Sequence, residues 1–177
     1  MALLTPVTRK FVVHWGEMGT RWGINRTVAQ VHALLWVSPR PLHAEEITEA
    51  LSVSRSNIST SLRELQAWGI VRVVHVLGDR RDHFETMKDV WEMFQVILDE
   101  RKRREIDPTL AILRECVAEA EAAGPGEAHT RKRLSDMLDF CETITNWYDT
   151  LRRMPASAMV RFLKSAGGAK KLLTLAR

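Results

Sequence analysis

The sequence predicts a mainly α-helical protein in which a helix–turn–helix and a small β-hairpin are flanked by N- and C-terminal helices. Three observations carry this expectation. Apolar residues recur at three- and four-residue steps along most of the chain. Near the middle that period gives way to a β-branched run closed by Gly78-Asp79. Glycine and proline punctuate the intervals between the periodic segments. The chain has 177 residues, of which 45% are apolar and 27% charged. That is enough for one domain with a real core, or for a small domain carrying an extra association region, and it excludes wholesale disorder.

Residues 7–38 read as two helices. Phe11, Val12, Trp15 and Met18 lie on one face, followed by Ile24, Val28, Val31, Leu34 and Leu35 on the next. Gly16, Gly19 and Gly23 interrupt the pattern and point to a break or a close approach of two backbones. Ser38-Pro39-Arg40-Pro41 stops the second helix, since neither proline can continue it. A short helix follows at about 43–51, with Ala44, Ile47, Ala50 and Leu51 on one face. Ser52-Val53-Ser54 is a turn, and Ser54 is a good N-cap.

The next helix runs from about Arg55 to Trp68, with Ile58, Leu62 and Leu65 inward and Gly69 as its C-terminal stop. Ile70 to Leu77 has strand character, and His83-Phe84-Glu85-Thr86 returns as its partner after the charged tip Asp79-Arg80-Arg81-Asp82. Thr86 to Asp89 has capping-box spacing and opens a long helix bearing Val90, Trp91, Phe94, Ile97 and Leu98. Asp107-Pro108 reads as an N-cap and first helical position starting a new helix to about Ala123, which Gly124-Pro125-Gly126 breaks. From Glu127 to Arg153, Leu134, Met137, Cys141, Ile144, Tyr148 and Leu151 form a heptad seam suited to dimerisation. Pro155 ends that helix, and a basic tail follows from Arg161, with Gly167-Gly168 near its end.

Several classes of function are disfavoured at this level. The longest apolar stretches, such as Ala33-Leu34-Leu35-Trp36-Val37, are too short to span a membrane. The N-terminus has no apolar stretch of signal-peptide length, so a cytoplasmic location is expected. Two cysteines, Cys116 and Cys141, make neither a disulfide framework nor a zinc site. His14 with Glu17, and His43 with Glu45-Glu46, lack a second histidine at metal-ligand spacing. The glycines at 16, 19 and 23 follow no strand and form no nucleotide loop, and no Ser or Cys sits in a nucleophile elbow. The expectation is a protein that is not an enzyme and holds no metal or cofactor.

The net charge of +4 says little by itself, so its distribution matters. Residues 41–86 carry a net −2, yet Glu45, Glu46 and Glu49 all lie on the helix that precedes residues 54–63. The exposed side of that next helix offers Ser54, Arg55, Ser56, Asn57, Ser59, Thr60 and Arg63, with no acid before Glu64. Short hydrogen-bonding side chains with two long cations suit a helix that enters the DNA major groove. Arg55, Asn57 and Arg63 are the candidates for base edges, and the serines and Thr60 for phosphates. A polar solvated face is the competing reading. At the hairpin tip, Arg80 and Arg81 can reach phosphates or a minor groove, and Asp79 can hold the Arg81 guanidinium; an ordinary exposed turn is the alternative there.

These residues resemble the winged helix–turn–helix regulators of the MarR superfamily, specifically its GbsR-like branch, over roughly residues 14–105. The resemblance rests on Gly16 to Gly23 followed by Ile24-Asn25-Arg26-Thr27, on Leu42-His43-Ala44-Glu45-Glu46-Ile47 with Leu51, on Ser54-Arg55-Ser56-Asn57-Ile58-Ser59 with Leu62-Arg63-Glu64-Leu65, and on Gly78-Asp79-Arg80-Arg81. It implies a winged helix–turn–helix with a β-hairpin wing, flanked by dimerisation helices. It also implies a homodimeric DNA-binding transcriptional regulator, usually a repressor, with Asp79 and Arg81 in the wing roles. The expected partition is an N-terminal dimerisation helix at 1–23, a DNA-binding domain at 24–86 and a dimerisation region with basic tail at 87–177. Partners would be double-stranded DNA with a pseudo-palindromic site, a second copy of the chain, and a small-molecule effector of unknown identity; no membrane is expected. The competing function is a winged-helix module that binds proteins and reads no DNA sequence.

Two features stay open. Six tryptophans, at 15, 22, 36, 68, 91 and 147, either fill cores at helical spacing or build an aromatic cage for a quaternary ammonium such as choline, to which some GbsR-like regulators respond. Trp91 and the N-terminal helices are the place where such an effector pocket is expected. Arg101-Lys102-Arg103-Arg104 either touches flanking phosphates or complements a helix C-terminus.

Overall fold

Residues 4–153, together with residues 158, 161 and 165, are described by a computed structural model. The chain divides into two units, Met1–Val96 and Ile97–Arg177. The basic tail beyond Arg161, Gly167-Gly168 and Pro155 lie outside the described residues, apart from position 165.

In the first unit, α1 (Pro6–Arg21) starts at Thr5, whose hydroxyl accepts the Thr8 N–H at 3.2 Å, with proline at the first position. The helix runs straight through Gly16 and Gly19; only Gly23, at φ +75°, breaks the chain. The two helical glycines are close-approach positions instead. A Cβ at Gly19 would lie 2.5 Å from the Ala29 Cβ on α2 (Arg26–Val37). The carboxamide of Asn25 caps α2 by accepting the Thr27 N–H at 2.8 Å. Because α2 is apolar around most of its circumference it is buried on nearly all sides, from Val28 to Leu35.

Leu42–His43 forms a two-residue strand, β1, ahead of α3 (Ala44–Leu51). The helix–turn–helix is completed by α4 (Arg55–Ala67), and β2 (Val71–Val74) and β3 (His83–Thr86) make the wing. The antiparallel sheet has the order β1-β3-β2, with Leu42 opposite Phe84 and Val71 opposite Thr86. The core gathers Val12, Val31, Leu34, Leu42, Ile47, Ile58 and Leu65 where these elements converge.

Three local expectations are corrected here. The strand expected over 70–77 ends at Val74, because β3 begins only at His83, its register partner, and leaves Val76 and Leu77 with no strand beside them. Thr86 is no helix cap; it is buried in β3 and its hydroxyl donates to the Ile70 carbonyl at 3.1 Å. The cap of α5 (Val90–Arg101) is Asp89, whose carboxylate accepts the N–H groups of Trp91 and Glu92 at 2.8 and 2.9 Å. Asp107 is not an N-cap either; it is the first residue of the next helix, with helical φ −61° and ψ −42°. A π-helical turn, Lys102–Ile106, carries the chain from α5 into α6 (Asp107–Ala122). Pro108 has no N–H for the carbonyl four residues back, and the widened turn ahead of it accommodates that loss.

In the second unit α6, a short 3₁₀ turn (Pro125–Glu127) and α7 (Ala128–Arg152) follow one another. Gly124 makes the break at φ +84°. Arg114 of α6 donates to Glu142 of α7 at 2.8 Å, and the Tyr148 hydroxyl donates to Asp99 at 2.6 Å. Among the described residues no helix is long and apolar enough to cross a membrane.

Candidate nucleic-acid interface

The first turn of α4 is built by Ser54, whose hydroxyl accepts the Asn57 N–H at 3.4 Å. Ile58, Ser61, Leu62 and Leu65 are buried, which fixes the helix's rotation and turns Arg55, Ser56, Asn57, Ser59, Thr60 and Arg63 outward. Ser54 is exposed as well. The Arg63 guanidinium lies over the preceding turn, donating to the Ser59 carbonyl and the Thr60 hydroxyl, each at 3.4 Å. All seven positions therefore share one accessible face at the start of a helix whose N-terminal dipole favours anions.

Glu45 changes the charge on that face. The carboxylate reaches across from α3 to the Arg55 guanidinium at 2.8 Å. It is held below the usual carboxylate range chiefly by its own backbone N–H, with Arg55 and His43 adding to the effect against desolvation. The sequence places the acids on the helix before the recognition helix, and its only signal of this pairing is an acid at the N-terminus of one helix and a cation at the N-terminus of the next.

The wing tip is ordered by Asp79. Its carboxylate accepts the Arg81 backbone N–H at 3.0 Å and the Arg81 Nε at 2.9 Å, and it also pairs with a terminal guanidinium nitrogen. These bonds from Arg81 hold the Asp79 carboxyl far below the usual carboxylate range. Both Arg80 and Arg81 are exposed. Beneath them His83, buried, places its Nδ1 3.0 Å from the Arg81 carbonyl oxygen and its Nε2 3.6 Å from Asp79. Edge-on to it at 5.5 Å stands the ring of His43, the residue that also caps α3. The sequence weighs His43 only as a metal ligand and places His83 in the returning strand; their contact is not legible there, because β1 is too short to show a period.

The heptad positions divide when placed on α7. Leu134, Cys141, Tyr148 and Leu151 are half-buried, whereas Met137 and Ile144 are 53% and 51% exposed. Phe140 and Trp147, absent from the expected seam, are 62% and 57% exposed beside them. Leu98, Ile106, Phe140, Cys141 and Ile144, with Arg101 and Lys102 at the edge, line a recess of about 260 Å³ within the second unit.

The basic run is no helix terminus. Arg103 and Arg104 each lie 2.6 Å from Glu100, Arg101 lies 3.6 Å from Glu105, and Lys102 lies 2.8 Å from Asp107. None of the six tryptophans is fully buried; Trp22 and Trp147 are exposed and the other four are half-buried, as suits a side chain too large to be covered on every side. The aromatic ring pairs among the described residues are Phe11 with Trp15, His43 with His83 and Trp91 with Phe94. Among the described residues no cluster of three His, Cys, Asp or Glu side chains is arranged to hold a metal.

Known proteins share part of this chain's sequence and its fold. Residues 22–82 match the family profile described as "MarR family". The chain is similar to the HTH-type transcriptional repressor GbsR of Bacillus subtilis (strain 168), at 22% identity over 139 residues and 77% of each chain. It is also similar to the HTH-type protein YvaV of the same strain, at 26% identity over 94 residues and 53% of each chain. A solved structure titled as that of a transcriptional regulator superposes with a TM-score of 0.63 at 24% identity, covering 90% of this chain and 99% of the other, which is a likeness of fold.

Proposed function

Residues 22–82, which hold the winged helix–turn–helix, match the MarR family profile, and we propose that the chain is a DNA-binding transcriptional regulator of that family that acts as a homodimer on a pseudo-palindromic operator. The observation that carries this reading is the α4 face, where Ser54, Arg55, Ser56, Asn57, Ser59, Thr60 and Arg63 stand accessible together and the wing adds Arg80 and Arg81. Arg55, Asn57 and Arg63 read base edges, and the hydroxyl side chains fix the phosphate register. Arg55 must exchange Glu45 for DNA as it binds, so the carboxylate tempers non-specific affinity. Asp79 presents the Arg81 guanidinium in a fixed orientation, which lowers the ordering cost on contact.

Dimerisation through α7 is supported by its uncovered apolar row at Met137, Phe140, Ile144 and Trp147 together with the half-buried Leu134, Cys141, Tyr148 and Leu151. A two-fold dimer would set its recognition helices about one DNA turn apart, ~34–36 Å. In this reading residues 1–23 and 87–177 serve dimerisation and 24–86 serve DNA. Repression follows the name of the relative GbsR. The recess in the second unit is roomy and apolar enough to seat a small effector, which acts only if it binds one dimer geometry more tightly than the other.

Fluorescence anisotropy across a salt series, comparing the DNA upstream of the protein's own gene with a scrambled duplex, tests this reading. Tighter binding to the native fragment is expected, with Arg81→Ala lowering affinity broadly and flattening the salt dependence. Equal, salt-fragile binding to both duplexes would reduce the protein to a non-specific binder. No binding at low salt would replace the proposal with the protein-docking module.

A further inference from the structure

The wing ends in an apolar apex. The Asp79 N–H donates to the Val76 carbonyl at 3.0 Å, closing a four-residue turn over Val76-Leu77-Gly78-Asp79. Gly78 has φ +84° while Leu77 keeps a negative φ, the combination that defines a type II turn. No side chain is excluded at Gly78 by crowding, since nothing lies within 4 Å of a Cβ there; the turn's dihedral angles alone call for glycine. This geometry puts Leu77 at a corner of the turn, fully exposed at 104% of its reference area, with Val76 before it at 42%. Polar residues or proline ordinarily occupy such a corner.

The apex is braced. Asp79 closes the turn through its N–H and grips Arg81 through its carboxylate, and His83 anchors the Arg81 carbonyl from below. A leucine on a fixed corner, with Arg80 and Arg81 within four residues, combines an apolar wedge with flanking cations. Leu77 and Val76 are too few to form a protein interface, which needs ~800 Å² from each partner. They do match a DNA minor groove, where an apolar side chain can enter a base step while guanidinium groups meet the phosphates on either side.

We propose that Leu77 is a minor-groove wedge, which inserts at a base step when the wing docks and bends the operator. The inference rests on the DNA-binding reading above and adds to it a partly unstacked step and a preference for deformable sequence under the wing, such as pyrimidine–purine steps.

The test uses the full chain and the duplex from upstream of its own gene, labelled at both ends for energy transfer, with affinity followed by anisotropy. The wild-type complex is expected to bend the duplex. Leu77→Ser should straighten it and weaken binding by roughly tenfold without changing the salt slope, because no phosphate contact is lost. Leu77→Phe, which keeps an apolar corner, should retain the bend. Since Leu77 touches no core residue, the melting temperature of both variants should equal that of the wild type, which separates the wedge from a folding defect. A wild-type complex that is straight, or a Leu77→Ser complex that binds and bends as the wild type does, overturns the wedge and leaves the DNA-binding reading standing. Failure of the wild type to bind any duplex overturns both.

Discussion

The two units of this chain dispose of their apolar side chains in opposite ways. In Met1–Val96 the large aliphatic residues of α2, α3 and α4 point into a shared interior, where Leu34, Leu42, Ile47 and Ile58 have no exposed surface. In the second unit the buried apolar side chains among the described residues are Leu110 and Ala120, and the 25-residue α7 has no buried residue. Meanwhile Ile112, Met137, Phe140, Ile144 and Trp147 lie open to solvent. A core holds its own element together, whereas a face awaits another surface. The first unit therefore draws its stability from within, whereas the second leaves an apolar row of α7 in solvent.

The sharpest way to break that comparison is to open the interior of the first unit. Leu34→Ala should cost about 3–4 kcal/mol, the range for removing a fully buried leucine from a core that relaxes incompletely. The loss should be read by hydrogen exchange of the α2 amides and should not vary with protein concentration. If the cost rises on dilution, the first unit is not self-sufficient.

Acid provides the next test. His32 lies in the same interior, and burial lowers its pKa from 6.5 to about 4. An unfolded histidine takes up its proton near 6.5 while the folded one resists until about 4, so the unfolded state binds more protons in that window. Its stabilising contribution is therefore complete above pH 6.5 and is lost as the pH falls toward 4, by about 3 kcal/mol. His32→Leu should remove that portion of the slope in a pH series of urea unfolding. An unchanged slope would mean that other groups dominate.

A smaller effect is expected where two helices touch. Gly19→Ala puts a methyl group 2.5 Å from the Ala29 Cβ, so α1 and α2 must separate. The expected loss is about 1–3 kcal/mol, measured as a fall in the urea midpoint at constant slope. The least effect on the first unit should come from Ile144→Ser combined with Trp147→Ser. Exchange in α2 should shift by less than about 0.5 kcal/mol, as for other exposed positions away from a core. Sedimentation should nevertheless show loss of self-association. A dimer that survives both changes would remove α7 from the proposed interface.

Much of this architecture was legible beforehand, for identifiable reasons. The recognition helix announces itself by local chemistry, with Ser54 as cap, Ile58, Leu62 and Leu65 as the inner row and Gly69 at φ +75° as the stop. The wing was legible from the change of period and its Gly-Asp turn, although the strand was drawn too long because apolarity at Val76 and Leu77 carries no information about a missing neighbour. β1 was missed because two residues cannot display alternation. Thr86 and Asp89 compete as caps within four residues, and only the register of β3 decides between them. The Glu45–Arg55 pair and the edge-to-face contact of His43 with His83 depend on which way a neighbouring element faces, which a one-dimensional pattern does not encode. The exposed Phe140 and Trp147 were passed over because a seam drawn by counting threes and fours cannot tell which of two adjoining rows turns toward α6.

The π-helical turn at Lys102–Ile106 acts as a phase shifter. Such a turn holds about one residue more than the α-turn it replaces, and each residue of a helix subtends about 100°. Inserting it therefore rotates every side chain of α6 about the helix axis by that angle relative to the turn before it. The turn thus sets the phase of α6 against the last turn of α5, while the break at Gly124 joins α6 to α7 downstream of it, so deleting a single residue between 102 and 106 would turn α6 about its axis against Leu98–Arg101 and leave the sequence of both helices untouched.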